Sequence, residues 1–384
     1  MTLEDTFEIK YIPQAVFKVQ PVTRCSASLS GHTEAILVVA FSPDGSMLAT
    51  GSGDTTVRIW DLKTETPRHT LSGHKNWVQS LAWAPDASVL LSGGMDTQLR
   101  VWDPKAGKSI GDGLRGHTQC ITAIAFEPLH LDKDARRAAT SSKDSTVRVW
   151  DIRVRQCLFT ISGHTAPVMS VRWSGSGLLL SGSRDKSIKV WTSDNGRLCR
   201  TLAGHAHWVN HLALTSDYIL RRGPFDHKTT SFADKDAAYP ERLASCSDDF
   251  TLFIWDFSRD KKPLARMPGH QQLVNHIAFS PDGRFLASSS FDKSVKLWDA
   301  KTMSFMTTLR GHTGAVYQVC WSADSRKILS GSRDSTLKCW DLATKKMQVE
   351  LPGHADEVFA VDWSPSGDRV ASGGKDRILK LWRS

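Results

Sequence analysis

No stretch of this chain is long and apolar enough to cross a bilayer. The first twenty residues also lack the charged start and apolar core of a secretory signal. Cysteine is sparse: there are seven, an odd number, with no C-x-x-C pair and no metal-ligand spacing. Several lie inside apolar strand runs, as Cys320 does. That pattern excludes a disulfide framework and a zinc-ribbon site, and it predicts reduced, buried thiols in a soluble intracellular protein. Basic residues outnumber acidic ones, 49 to 40, for a net charge of +9, yet no basic run exceeds three residues. A polybasic arm is therefore excluded, while a mild preference for acidic or nucleic-acid-rich surroundings is retained. A Gly-rich phosphate loop, a nucleophile elbow and a carboxylate pair outside the repeats are missing too. The expectation is a chain without catalytic activity, cofactor or metal.

What the chain has is repetition. Gly-His pairs place histidines at His32, His74, His117, His164, His205, His270, His312 and His354, spaced by 42, 43, 47, 41, 65, 42 and 42 residues. Eight of the 14 tryptophans close a repeat, as Trp340 closes Gly311–Asp341. Between these ends lie short alternating apolar runs broken by turn chemistry such as Ser-Pro-Asp-Gly at 42–45. Eight such units, each of four short strands, predict an all-β, eight-bladed WD40 β-propeller. The last repeat stops two residues after Trp382, while Arg24–Ser30 supply one strand too many at the start. Pairing of that N-terminal strand with the last blade is expected to close the ring and remove its open edges. Two repeats are long. The third gains about five residues around Pro128–Arg137, and the fifth has an insertion near 216–240, polar enough to read as a mobile surface loop.

Six residues before each closing Trp stands an Asp: Asp54, Asp96, Asp144, Asp185, Asp249, Asp292, Asp334 and Asp376. Four residues before each Asp stands a Ser or Thr. A Ser-His-Asp set invites a catalytic reading, but eight copies that each contain an indole N–H fit a structural hydrogen-bond chain better. The run His205-x-His207-x-x-x-His211 has a weak claim to a metal. His205 belongs to its repeat, however, and His207 and His211 lie roughly 13 Å apart along a strand.

Binding is expected on the face that carries the Gly-His loops and the tight Asp turns. Three positions in each repeat point there: the third and fifth residues after the His, and the residue before the Asp. They differ between repeats, and they gather Trp77, Trp208, Phe291, Tyr317 and Phe359 with Lys143, Arg184, Arg333 and Lys375. Aromatic residues with Arg among them have the composition of an interface hot spot.

The wording between the repeats resembles the Notchless family of WD-repeat ribosome assembly factors. PQAVFKV at 13–19, GSGDTTVRIWDL at 51–62, SDDFTLFIW at 247–255, GHQQLVNH at 269–276 and PGHADEVFAVDWSP at 352–365 carry the resemblance, as does RRGPFDH at 221–227 within the insertion. It implies a non-catalytic factor of large (60S) subunit biogenesis in the nucleus and nucleolus. Such a factor docks on pre-60S particles of ribosomal proteins, assembly factors and rRNA, as a monomer within a large complex and away from membranes. It also implies an N-terminal ubiquitin-like domain through which a midasin-like AAA ATPase attaches, and a link to Notch signalling. Residues 1–22 read as the remnant of that domain and 23–384 as the propeller. Glu4 stands where the family's metal-contacting acidic residue falls, and the missing part is expected to reflect a truncated gene model. The competing expectation is a WD40 adaptor in signalling or in substrate recognition by a ubiquitin ligase.

Overall fold

The computed structural model describes residues 19–222 and 241–384. The described residues form eight four-stranded antiparallel sheets, one per repeat. We name the strands of a blade a to d from the axis outward and number the blades by their Gly-His pairs. Blade 7 shows the radial logic. Its strands are a (Val316–Trp321), b (Lys327–Ser332), c (Leu337–Asp341) and d (Lys346–Leu351). Strand b is buried on both faces because a neighbouring blade covers each side, whereas strand d is mostly exposed. The apolar clusters accordingly bridge blades, as Leu297 and Leu309 of blade 6 pack with Val316, Val319 and Trp340 of blade 7. A β-bulge early in strand a recurs in all eight blades and raises the local twist that each blade needs.

The seam follows the expected pairing. Arg24–Leu29 is strand d of blade 8, with Arg24 opposite Arg383 and Leu29 opposite Leu379. Just before it, Val19 and Val22 are buried in a cluster with blades 7 and 8, and the Val19 N–H donates to Asp324 at 2.8 Å. Residues 1–18, Glu4 among them, lie outside the described residues.

Two expectations need correction. Thiol burial is not uniform: Cys120, Cys246 and Cys339 are buried, whereas Cys25 and Cys199 are exposed because they sit on outer strands. The insertion in blade 5 is not loop throughout, since Asp217–Arg222 form a short helix, α1. Asp217 accepts the Leu214 N–H at 2.8 Å and the Leu220 N–H donates to the Ser216 carbonyl at 2.9 Å, which starts the turn. Residues 223–240 lie outside the described residues. The longer a–b connection of blade 3 folds into two turns, and His130 donates from Nε2 to the Gly175 carbonyl of blade 4 at 2.6 Å.

Candidate docking face

In a four-stranded antiparallel blade, the d–a loops and the b–c turns emerge on one side of the ring. The a–b and c–d connections emerge on the other. The first side therefore carries every Gly-His loop and every Asp turn.

Those elements are fixed by one hydrogen-bond chain repeated eight times. In blade 7 the His312 Nδ1–H donates to Asp334 at 2.8 Å. The Ser330 hydroxyl lies 2.8 Å from His312 Nε2 and accepts the Trp340 indole N–H at 2.8 Å. Blade 1 repeats this through His32, Asp54, Thr50 and Trp60 at 2.8, 2.8 and 2.9 Å. Blades 2 to 6 and 8 do so from His74, His117, His164, His205, His270 and His354 to Asp96, Asp144, Asp185, Asp249, Asp292 and Asp376. Burial acts to raise the carboxyl pKa of Asp54 and Asp334, but hydrogen bonds and charge from His32 or His312, with the following Thr, outweigh it. Both are held well below the usual carboxylate range. The same Asp accepts the backbone N–H of the residue after the His, as from Thr313 at 2.8 Å, which ties the d–a loop to the b–c turn. In blades 4 to 7 the closing Trp of strand c lies against the glycine before the His: a Cβ at Gly163, whose φ is 151°, would stand 2.9 Å from the Trp191 ring.

With the hydroxyl, imidazole and carboxylate spent on one another in every blade, this constellation presents no free nucleophile. His207 and His211 diverge from His205. His207 packs on Trp208, with ring centroids 5.0 Å apart, whereas His211 faces the central channel against His276 at 4.1 Å. Among the described residues no group of three His, Cys, Asp or Glu side chains is arranged to hold a metal.

The variable positions assemble into separate groups. Phe291, Tyr317 and Phe359, from blades 6, 7 and 8, form a continuous row, with Tyr317 centred 5.7 Å from Phe291 and 5.5 Å from Phe359. Glu357 organises this row by accepting the Tyr317 hydroxyl at 2.8 Å and standing 3.5 Å from Arg333 Nε. Burial, followed by that hydrogen bond, pushes the Tyr317 phenol up to about 12. In the second group, Arg184 of blade 4 stacks 4.3 Å from the ring of Trp208 of blade 5. Trp77 of blade 2 leans over Gly53 of blade 1. Trp77 and Trp208 are 49% and 39% exposed, a large area for free indoles. Lys375 stands 3.4 Å from Asp356 at the rim of blade 8, and the half-buried Lys143 is placed by its backbone N–H on the Cys120 carbonyl.

A rule emerges that sequence reasoning missed. The third residue after the His in one blade meets the residue before the Asp in the preceding blade: Trp77 on Gly53, Trp208 on Arg184, Glu357 on Arg333. Glu357 carries no compositional signal in the sequence, being a single acid among aromatic positions. Phe250 was also missed. It is 43% exposed and follows Asp249 at φ 66° in the same turn as Asp248.

The family model for the WD domain, G-beta repeat matches eight consecutive segments: 23–61, 65–103, 107–151, 155–192, 196–256, 261–299, 303–341 and 345–383. The chain is 53% identical over 298 residues to Protein Notchless of Drosophila melanogaster, covering 73% of this chain and 61% of that protein. It is 50% identical over 326 residues to Ribosome assembly protein 4 of Saccharomyces cerevisiae, covering 79% and 63%. With the Notchless protein homolog of Arabidopsis thaliana it shares 54% identity over 323 residues, covering 81% and 68%. The chain thus spans about three fifths of the length of the fly and yeast relatives. Eight matched repeats, and half or more of the residues shared across them, make this chain a member of the Notchless family of WD-repeat proteins.

Proposed function

We propose that this protein is a non-catalytic assembly factor of the large ribosomal subunit, docking on pre-60S particles in the nucleus and nucleolus through the face just described. The observation that carries the reading is the row Phe291–Tyr317–Phe359, braced by Glu357 and Arg333. Rigid aromatic anchors beside charged groups suit recognition of a folded protein surface or an ordered segment. Relatives named for ribosome assembly, and a net charge of +9 suited to a phosphate-rich particle, support the same reading. Lys143, Arg184, Arg333 and Lys375 would supply charge around the aromatic anchors. In the proposal a midasin-like AAA ATPase attaches through an N-terminal ubiquitin-like domain, with the carboxylate of Glu4 as a ligand to that partner's metal.

Sedimentation of nuclear extract on a sucrose gradient tests the reading. The protein is expected to travel with pre-60S particles and to shift to lighter fractions as salt rises. A protein that stays light at low salt would instead behave as a signalling or ubiquitin-ligase adaptor, and the assembly reading would fail.

A further inference from the structure

The interior of the ring serves neither the hydrogen-bond chains nor the docking face. The eighth residue after the Gly-His histidine is alanine in five blades, and those of blades 1 to 3, Ala40, Ala82 and Ala125, line a cavity in the central channel. Blade 4 instead places Arg172 there, and blade 8 places Asp362. These two blades are opposite each other in a ring of eight, and α1, from blade 5, reaches both. Asp217 at its start stands 3.5 Å from Arg172 Nε. Arg221 near its end grips Asp362 with both arms of the guanidinium, at 3.0 and 2.5 Å.

We propose that α1 is a crossbar that braces the propeller's seam from inside. Blade 8 is completed without a covalent link, by strand d from the N-terminal side of the chain, so the junction of blades 8 and 1 is where the ring opens most readily. The crossbar acts at that junction. Arg221 also donates to the Phe41 carbonyl of blade 1 at 3.1 Å, and the Phe41 N–H donates to Asp362 at 2.8 Å. One guanidinium and one carboxylate thus hold the inner strands of the last and first blades together, in the two-pronged geometry that makes Arg–carboxylate pairs strong and directional. Opposite them, Arg172 anchors the start of the helix and donates through Nη2 to His211 Nε2 at 2.9 Å. Each cation thus faces a carboxylate, Arg172 with Asp217 and Arg221 with Asp362. The helix also borders the cavity of about 420 Å³ in the channel, to which Asp217, Leu220 and Arg221 contribute. This accounts for the break in the alanine pattern and for a helix in so polar an insertion.

Hydrogen exchange on the full chain tests the proposal. Arg221→Gln is expected to speed exchange at least tenfold in the seam strands, 24–29 and 379–383, while 137–142 in blade 3 keeps its protection. Asp362→Asn should act the same way, and adding Arg221→Gln to it should change little further. Seam protection unchanged in Arg221→Gln, or additive effects in the double variant, would overturn the crossbar. Should Arg221→Gln fail to fold, Arg221→Lys, which keeps the charge and loses the fork, is expected to show a milder loss confined to the seam. A loss spread evenly over all blades would overturn the assignment.

Discussion

At the scale of single residues, the hydrogen-bond chain has a direction. The indole N–H gives to the hydroxyl, the hydroxyl gives to the imidazole Nε2, and the imidazole Nδ1–H gives to the carboxylate. Removing one member strands the others in a buried setting, so His312→Ala should cost roughly 1–3 kcal/mol and lower the melting temperature. Docking measured per folded molecule should be unchanged, and its loss in a fully folded variant would contradict a purely structural role for the network. The residue after each network Asp carries a second consequence. It is left-handed in all eight blades, yet never glycine, as at Lys293 with φ 67°. A non-glycine residue there costs about 1 kcal/mol or more, only part of which glycine returns as chain entropy. Lys293→Gly is therefore expected to raise the melting temperature, and a fall would show that the Lys293 side chain makes a stabilising contact.

At the scale of elements, the strands were legible because scaffold positions recur about every 42 residues, so one repeat teaches the next. Contacts between blades were not legible, because Trp208 meets Arg184 and Arg333 meets Glu357 only once the ring has formed. Helix α1 was hidden for another reason: six residues with no apolar periodicity fold as helix only where Arg172 and Asp362 receive them. The a strands also carry two buried histidines whose titration bears on stability near neutrality, and burial pushes His270 of the network down as well. Burial, then the charge of Arg172, pushes His276 down to about 3, and burial with His276 and Arg172 pushes His211 the same way. Besides these, Asp217 of α1 and Asp362 of blade 8 line the same channel; burial pushes the Asp217 carboxyl up, which opposes the histidines as pH falls. A histidine held neutral in the fold and free to gain a proton when unfolded loses its stabilising contribution as pH falls below about 6.5. The depressed network carboxylates run differently, contributing in full above about 4 and losing ground only as pH falls further. Melting temperature should thus drop from pH 7 to pH 5, and by less in His276→Gln. Identical drops in the two proteins would move the effect away from the channel.

At the scale of the whole molecule, the propeller separates what makes it recognisable from what makes it specific. Histidine, hydroxyl, aspartate and tryptophan repeat in every blade and carry no information about a partner. The differences between blades gather on one face, in the row across blades 6 to 8 and in the exposed Trp77 and Trp208. Helix α1 contributes Asp217, Leu220 and Arg221 to the cavity at the other end of the channel. The most direct test compares Tyr317→Ala combined with Phe359→Ala against His312→Ala by gradient sedimentation with pre-60S particles, each at a temperature where circular dichroism shows it folded. The account expects the double variant to leave the particle fractions while His312→Ala stays with them. The double variant remaining on the particle, or His312→Ala leaving it while folded, would contradict the assignment of specificity to the variable positions.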